Sequence, residues 1–278
     1  MIPHDARLTL AREDLACAGL EGLAPAARYE QVTSMRVIQP RAPVRVSPAP
    51  SAEQVDQLLF GEVFDQLELM DGHAWGRARR DGYVGFVATE ALSRDLLAPT
   101  HWVAAIRTFA FEGPSIKSPS RGPLSLNALV TIEEETQALA LASGIGWIAK
   151  THLRPIGSFF EDPADMAWRF LGSPYLWGRR DSLGLDCSGL IQQALDACGF
   201  ACPRDSDQQA ALGRPAPPLA LRRGDLVFWR GHVGMMLDGR RLLHANAHRM
   251  AVTTEPLVQA EARIEAAGGG PPIAFRRI

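Results

Sequence analysis

A cysteine at the start of a predicted helix constrains this chain more than any other feature of its sequence. Cys187 follows a glycine-rich approach, and the apolar residues after it recur at helical spacing until Gly199. At a helix N-terminus, unpaired backbone N–H groups and the positive end of the helix dipole favour a thiolate. The pattern therefore predicts a nucleophile at Cys187. The alternative for an isolated cysteine is a small buried residue beside a capping Ser188.

Two histidines downstream supply the groups that a nucleophilic thiol requires. The β-like runs 232–237 and 241–245 flank a turn signal at Asp238. A tight hairpin centred on Asp238 would make His232 and His244 direct cross-strand neighbours on one face of a sheet. We therefore expect His232 to be the base for the thiol and His244 to orient it.

Six sequence blocks carry a resemblance to the NlpC/P60 cysteine peptidases. The blocks are Pro174-Tyr175-Leu176-Trp177-Gly178, Asp186-Cys187-Ser188-Gly189-Leu190, Pro203-Arg204-Asp205-Ser206-Asp207-Gln208-Gln209, Arg223-Gly224-Asp225-Leu226-Val227-Phe228, His232-Val233-Gly234 and Leu243-His244-Ala245. The resemblance covers roughly residues 160–278. It implies an α+β, papain-like fold and a catalytic triad of Cys187, His232 and His244.

Family members that carry two bacterial SH3-like domains in front of the peptidase domain are similar to γ-D-glutamyl-L-diamino acid endopeptidases. The resemblance implies hydrolysis of the bond between γ-D-glutamate and meso-diaminopimelate or lysine in peptidoglycan stem peptides. It also implies a requirement for a free N-terminal L-alanine, because the first barrel closes one end of the cleft. The expected partner is a peptidoglycan-derived peptide, and the expected use is murein peptide recycling.

Acids and hydroxyls are expected around such a substrate, because a desolvated ammonium group needs partners. By position in the family motifs, the expected substrate-binding residues are Glu62, Tyr83, Tyr175, Trp177, Asp186, Ser188, Asp205 and Ser206. Tyr175 is also a candidate for placing an oxyanion donor. Each nomination has a structural alternative. The two aromatics of the catalytic domain could pack on the helix, and the Asp205-Ser206 pair could cap the next one. Glu62 could be a solvated turn residue, and Tyr83 a core aromatic.

Short β-like runs at regular spacing predict two small barrels in front of the peptidase domain. The runs around residues 59–63 and 81–87 resemble a bacterial SH3-like domain, and similar runs recur about sixty residues later. The predicted organisation is an N-terminal arm over 1–34, barrels over 35–97 and 98–154, and an NlpC/P60 domain over 155–278.

Composition and charge exclude several classes of partner. The net charge is −2 and no long Lys/Arg run is present, so neither nucleic acid nor an acidic membrane is expected. No apolar run approaches the ~18 residues that span a bilayer. Residues 1–7 lack the pattern of a signal peptide, which predicts a cytoplasmic protein. Four cysteines in 278 residues do not make a disulfide framework.

Some alternatives stay open at the level of sequence. Cys198, Cys202, His244 and His248 have the ligand types of a zinc site. Cys198 continues the apolar face of the helix and His244 has a place in the triad, so we expect no metal and no cofactor. Alternatives to the recycling endopeptidase are a wall-remodelling hydrolase, an amidase or acyltransferase, and a cell-wall binding module. The sequence does not specify an oligomeric state.

Overall fold

The computed structural model describes residues 5–49 and 51–278 and divides into two compact units, Met1–Ile156 and Gly157–Ile278. Residues 1–4, part of the segment considered above for a leader, lie outside the described residues. Within the described residues the α-helices all lie in the second unit. They are Pro163–Trp168, Cys187–Ala197, Ser206–Gln209 and Leu257–Ala266.

The N-terminal segment packs against the first β region. It contains the short strands Ala16–Cys17 and Tyr29–Glu30, which pair in parallel, and the 3₁₀ helix Ala18–Leu20. Leu10 and Leu15 are fully buried in one cluster with Trp75 and Phe86 of the barrel, so the arm supplies part of the core.

The first β region is a seven-stranded antiparallel sheet around its own apolar core. In sheet order its strands are Gln54–Leu59, Arg41–Arg45, Val84–Ala88, His73–Ala78, Val63–Met70, Thr33–Val37 and Leu92–Ser93. Val44, Phe64 and Tyr83 lie in this core. Gly61 has a φ of +82°, and a Cβ there would stand 2.1 Å from the Leu129 carbonyl oxygen, so only glycine fits.

The second β region consists of two smaller sheets. One contains Ser120–Ser125, Arg107–Phe111, Gly146–Ala149, Leu139–Ala142 and Ile132–Glu135, and the other contains Leu129–Val130, His101–Val103 and Leu153–Pro155. Leu59 and Phe60 share a buried cluster with Val103 and Ile148, which joins the two β regions. The domain boundaries given above stay predictions.

The second unit places a helix against a six-stranded antiparallel sheet. In order the strands are Arg214–Pro215, Ala274–Arg277, Leu226–Trp229, His232–Met236, Arg241–Asn246 and Ala251–Pro256. A separate hairpin pairs Arg180–Asp181 with Gly184–Leu185. The α+β class predicted from the sequence is confirmed.

Helix Cys187–Ala197, here called the nucleophile helix, is buried along nearly its whole length. Leu190, Ile191 and Ala194 are 0% exposed, as their helical spacing predicts. The helix ends at Cys198, and Gly199 follows with a φ of +80°, a conformation that glycine adopts without strain. At the other end, Cys187 is the first residue of the helix and therefore lies on its first turn.

Candidate active site

Cys187 is the first residue of the nucleophile helix and is 5% exposed. Backbone N–H groups of Val233 and Ser188 donate hydrogen bonds to its sulfur. Val233 follows His232 in the neighbouring strand, so the thiol lies against the strand that carries the expected base. The structure thus brings Cys187 and the two histidines together in one unit.

The two histidine rings are in direct hydrogen-bond contact. Nε2 of His232 lies 2.8 Å from Nδ1 of His244, and the ring centroids are 5.0 Å apart in an edge-on arrangement. Nε2 of His244 lies 2.9 Å from Oε1 of Glu255. On the other side, the indole of Trp229 stands 5.8 Å from the His232 ring. His244 is 0% exposed, so its ring is held by protein groups alone.

The prediction that His232 and His244 are direct cross-strand neighbours is wrong. The strands pair Met235 with Leu243 and Met236 with Leu242, which centres the hairpin on Gly239. Leu237 N–H donates to the Arg241 carbonyl, so the loop comprises residues 238–240 and its centre lies one residue after Asp238. The histidines share a face but are displaced by two residues, and their long rings close the gap.

Burial outweighs the helix terminus in setting the ionisation of the thiol. It raises the pKa of Cys187 to about 12, with a further contribution from the charge of Asp186, although the hydrogen bonds from Val233 and Ser188 act in the opposite direction. Burial also lowers the pKa of His232 to about 3, with a smaller effect from His244. Burial therefore favours the neutral thiol and the neutral imidazole, whereas the sequence pattern alone predicts a thiolate.

Asp186 caps the nucleophile helix and anchors a buried charged network. Its carboxylate accepts from Gly189 N–H at 2.8 Å and from Gly178 N–H at 2.9 Å. Arg204 donates to both of its oxygens, at 3.0 and 2.5 Å, and to the Ser188 hydroxyl at 2.8 Å. Asp186 and Ser188 thus both have hydrogen-bond partners within the protein. Their contact with substrate stays a prediction.

Tyr175 and Trp177 lie on the segment that leads to the nucleophile helix. The backbone N–H of Tyr175 donates to the Met250 carbonyl at 2.9 Å. Burial raises the pKa of the Tyr175 phenol, and so do the nearby charges of Cys187 and Asp186. Tyr175 also forms a β-bridge with Leu185, two residues before Cys187. Trp177 is 59% exposed, so more than half of its side-chain surface is accessible to solvent.

The other nominated residues have structural partners of their own. Asp205 forms a capping box with Gln208 at the start of helix Ser206–Gln209, as the alternative anticipates. In the first unit, Glu62 accepts from Leu59 N–H at 3.1 Å and Tyr83 belongs to the barrel core. A role for these residues in binding substrate stays a prediction.

The zinc alternative has no support in the part of the chain that the structure describes. Across residues 5–49 and 51–278, no three His, Cys, Asp or Glu side chains are grouped to hold a metal. Cys198 and Cys202 are buried free cysteines.

Of the described helices, none is long and apolar enough to cross a membrane.

Sequence reasoning missed two residues next to the predicted triad. Arg204 lies within one of the six blocks, but its burial beside Asp186 depends on the tertiary fold. Glu255 reaches His244 from strand Ala251–Pro256, where His244 pairs with Thr253. The side chains of alternate residues share a face of a strand, so the register would have identified Glu255 once the pairing was known.

Comparison with known proteins agrees with this geometry. Residues 172–263 match the NlpC/P60 family, and residues 44–92 match a domain described as the bacterial dipeptidyl-peptidase SH3 domain. Residues 172–263 form a domain of the NlpC/P60 family. The resemblance drawn from the six blocks is therefore confirmed for this domain, and the SH3-like resemblance is confirmed for residues 44–92.

Two relatives show how far the similarity extends. The chain is 39% identical over 93 residues to a gamma-D-glutamyl-L-lysine dipeptidyl-peptidase of Bacillus subtilis, which covers 31% of each protein. It is 27% identical over 238 residues to dipeptidyl-peptidase 6 of Lysinibacillus sphaericus, covering 76% of this chain and 86% of that protein. The chain thus spans less than a third of the first relative and most of the second.

A solved structure of an NlpC/P60 family protein from Bacillus cereus has the same fold. The two superpose with a TM-score of 0.74 at 19% identity, over 88% of this chain and 99% of that one. The predicted NlpC/P60 fold with an SH3-like domain in front is confirmed.

Proposed function

We propose that this NlpC/P60 protein hydrolyses the γ-D-glutamyl-L-diamino acid bond of peptidoglycan stem peptides. The observation that carries the proposal is the buried thiol of Cys187 beside the strand of His232, whose ring is held by His244. A cysteine nucleophile, a base and an orienting group are the parts that acyl transfer through a thioester requires.

The reaction follows from the protonation states of these groups. Cys187 attacks the carbonyl carbon of γ-D-glutamate while its proton passes to His232, so that no free thiolate is needed beforehand. His232 then protonates the amine of the leaving diamino acid as the C–N bond breaks. Water, deprotonated by His232, hydrolyses the thioester and restores the thiol.

The tetrahedral intermediate carries a negative oxygen that needs donors already in place. The backbone N–H of Cys187, at the start of the nucleophile helix, is one candidate donor. The Tyr175 hydroxyl is the second, because the β-bridge between Tyr175 and Leu185 places Tyr175 on the segment next to the start of the nucleophile helix. The positive end of the helix dipole favours the same charge.

The proposed substrate rests on the relatives. Both carry dipeptidyl-peptidase in their names, and one name specifies the γ-D-glutamyl-L-lysine bond. The SH3 domain that residues 44–92 match is likewise named after dipeptidyl-peptidases. An enzyme that removes a dipeptide acts at a free N-terminus, which supports a requirement for unblocked L-alanine. The leaving residue would be lysine or meso-diaminopimelate.

A free-amine requirement favours released stem peptides over the intact wall, where this amine is blocked. We therefore assign the protein to murein peptide recycling, which would place it in the cytoplasm. The assignment of Glu62 and Tyr83 to recognition of the amine remains part of this proposal and rests on the resemblance alone.

The test compares L-Ala-γ-D-Glu-L-Lys, its meso-diaminopimelate counterpart, their N-acetylated forms and intact peptidoglycan. We expect release of L-Ala-D-Glu from the free-amine peptides only. Cleavage of acetylated peptide or sacculi would instead indicate wall remodelling, and transfer of the acyl group to an added amine would indicate an acyltransferase.

The role of Glu62 has a matched control in the same barrel. Glu62→Gln should raise KM for the free-amine peptide roughly tenfold or more, the effect of losing a charged partner. Glu90→Gln removes the same charge from an exposed position and should leave KM unchanged. Equal KM values for both variants would remove Glu62 from substrate recognition.

A further inference from the structure

A carboxylate lies behind the histidine pair and is joined to it by one continuous line of hydrogen bonds. Glu255 Oε1 is 2.9 Å from Nε2 of His244, and Nδ1 of His244 is 2.8 Å from Nε2 of His232. Each of these contacts needs one donor and one acceptor. The protonation state of the first group therefore determines that of the next.

The first group in this line is ionised. Burial opposes ionisation of Glu255, but hydrogen bonds and charge from Arg263 and His244 outweigh it and lower the pKa of the carboxyl. Arg263 reaches Glu255 from helix Leu257–Ala266 as an ion pair. An ionised carboxylate can only accept hydrogen bonds. Nε2 of His244 must therefore carry a hydrogen and donate it to Glu255.

A neutral imidazole has one N–H, so the order of protons in the rest of the line follows. Since Nε2 of His244 holds the hydrogen, its Nδ1 is an acceptor. His232 must then donate from Nε2, which leaves the lone pair of its Nδ1 free. This is the ring nitrogen of His232 that remains available to the thiol.

We propose that Glu255 is a positioning residue that sets the tautomers of His244 and His232, so that Nδ1 of His232 can accept the proton of Cys187. The proposal rests on the proposed function for the reaction that follows this proton transfer. When Nδ1 takes the proton, His232 becomes an imidazolium with hydrogens on both nitrogens. Its Nε2–H continues to donate to His244, and the carboxylate at the end of the line stabilises the new charge.

The surroundings of Glu255 leave this line undisturbed. Arg263 pairs with Oε1 of Glu255, the same oxygen that faces His244, and its positive charge helps to lower the pKa of both histidines. Arg241 of the adjacent strand donates to Thr254, whose side chain lies on the opposite face of the sheet. Trp229 covers the His232 ring and is 1% exposed, which limits exchange of protons with water there.

The tautomers can be read directly from ¹⁵N chemical shifts in protein labelled at its seven histidines, with single His→Gln variants to assign the signals. In the unmodified protein we expect hydrogen on Nε2 of both His232 and His244, and none on Nδ1. This measurement needs no substrate. It therefore stands even if the protein cleaves no stem peptide, which would overturn the proposed function alone.

Variants of Glu255 test the consequence for catalysis. Glu255→Ala should introduce the Nδ1–H tautomer of His232 and lower kcat about ten- to a hundredfold, the usual effect of an outer partner that orients a histidine, with little change in KM. Glu255→Gln retains the size of the side chain and takes the place of the alanine variant if that variant does not fold. It should also lower kcat. Glu265→Gln removes an exposed glutamate from the helix of Arg263 and should behave as the unmodified protein.

Three results would overturn the inference. One is a hydrogen on Nδ1 of His232 in the unmodified protein. Another is an unchanged kcat, with unchanged tautomers, in a folded Glu255→Ala variant. A fall in thermal stability without a tautomer change would assign Glu255 a structural role only, and would equally contradict the proposal.

Discussion

Nε2 of His232 and Nδ1 of His244 lie 2.8 Å apart, although the two residues are not opposite each other in the paired strands. The contact is made by the rings and not by strand register. It therefore depends on how each ring is held, His232 by Trp229 and His244 by Glu255. The orientation of the His232 ring, the expected base, therefore depends on its contacts with the neighbouring side chains.

Removal of either histidine should lower turnover, but by different amounts. His232→Ala removes the general base and should lower kcat about 10²–10⁴-fold. His244→Ala leaves the base in place without its partner, so we expect a smaller loss. Steady-state kinetics on a stem tripeptide measures both. An equal or greater loss in His244→Ala would show that His244 is the base.

The reactivity of Cys187 should depend steeply on pH. Because burial raises the pKa of its thiol to about 12, little thiolate exists at neutral pH. The alkylation rate should rise about tenfold for each pH unit between 7 and 10, since only the thiolate reacts. Peptide mapping after iodoacetamide treatment separates Cys187 from the other cysteines. A rate independent of pH over this range would show a preformed thiolate–imidazolium pair.

The buried pair of Asp186 and Arg204 should be needed for folding. Their side chains are 6% and 1% exposed, so Arg204→Met leaves an uncompensated charge at the helix cap. The expected loss is about 3–5 kcal/mol in the free energy of unfolding, measured by urea denaturation.

The exposed pair of Arg223 and Asp162 is the matched control for this prediction. Both side chains are more than 40% exposed, and Arg223→Met should cost about 1 kcal/mol or less. Similar losses in Arg204→Met and Arg223→Met would contradict the assigned importance of the buried network.

The protein should lose stability as the pH falls below about 6.5. Burial lowers the pKa of His244 to about 4 and that of His232 to about 3, so the unfolded chain binds protons before the folded protein does. The stability that their neutral forms provide is complete above pH 6.5 and is lost towards pH 4. For the fully buried His244 the slope is at most about 1.4 kcal/mol per pH unit.

The matched comparison is a His232→Gln/His244→Gln variant, which retains every other titrating group. Urea denaturation between pH 7 and pH 4.5 should give a shallower decline for the double variant than for the unmodified protein. Parallel pH profiles would mean that the two histidines titrate alike in the folded and unfolded states.

The sequence was sufficient to predict the nucleophile helix and the fold class. The spacing of Leu190, Ile191 and Ala194 predicts one buried helix face, and Gly199 predicts its end. These are local patterns, and short-range geometry determines them. The α+β fold and the SH3-like domain followed from the resemblance of separate blocks.

Groups that depend on tertiary contacts could not be predicted in the same way. The register at Gly239 depends on a turn whose length the sequence does not state, and the contact of Glu255 with His244 depends on pairing between strands. The ionisation of Cys187 depends on burial, which the helix pattern does not report. The helix pattern therefore predicts a thiolate, whereas burial favours the neutral thiol.

The most direct test of the central claim is mass spectrometry of L-Ala-γ-D-Glu-L-Lys incubated with the unmodified protein and with Cys187→Ala. The account predicts that the unmodified protein releases L-Ala-D-Glu and free lysine, and that the variant releases neither. Cleavage at the L-Ala–D-Glu bond, or cleavage that persists in Cys187→Ala, would contradict it.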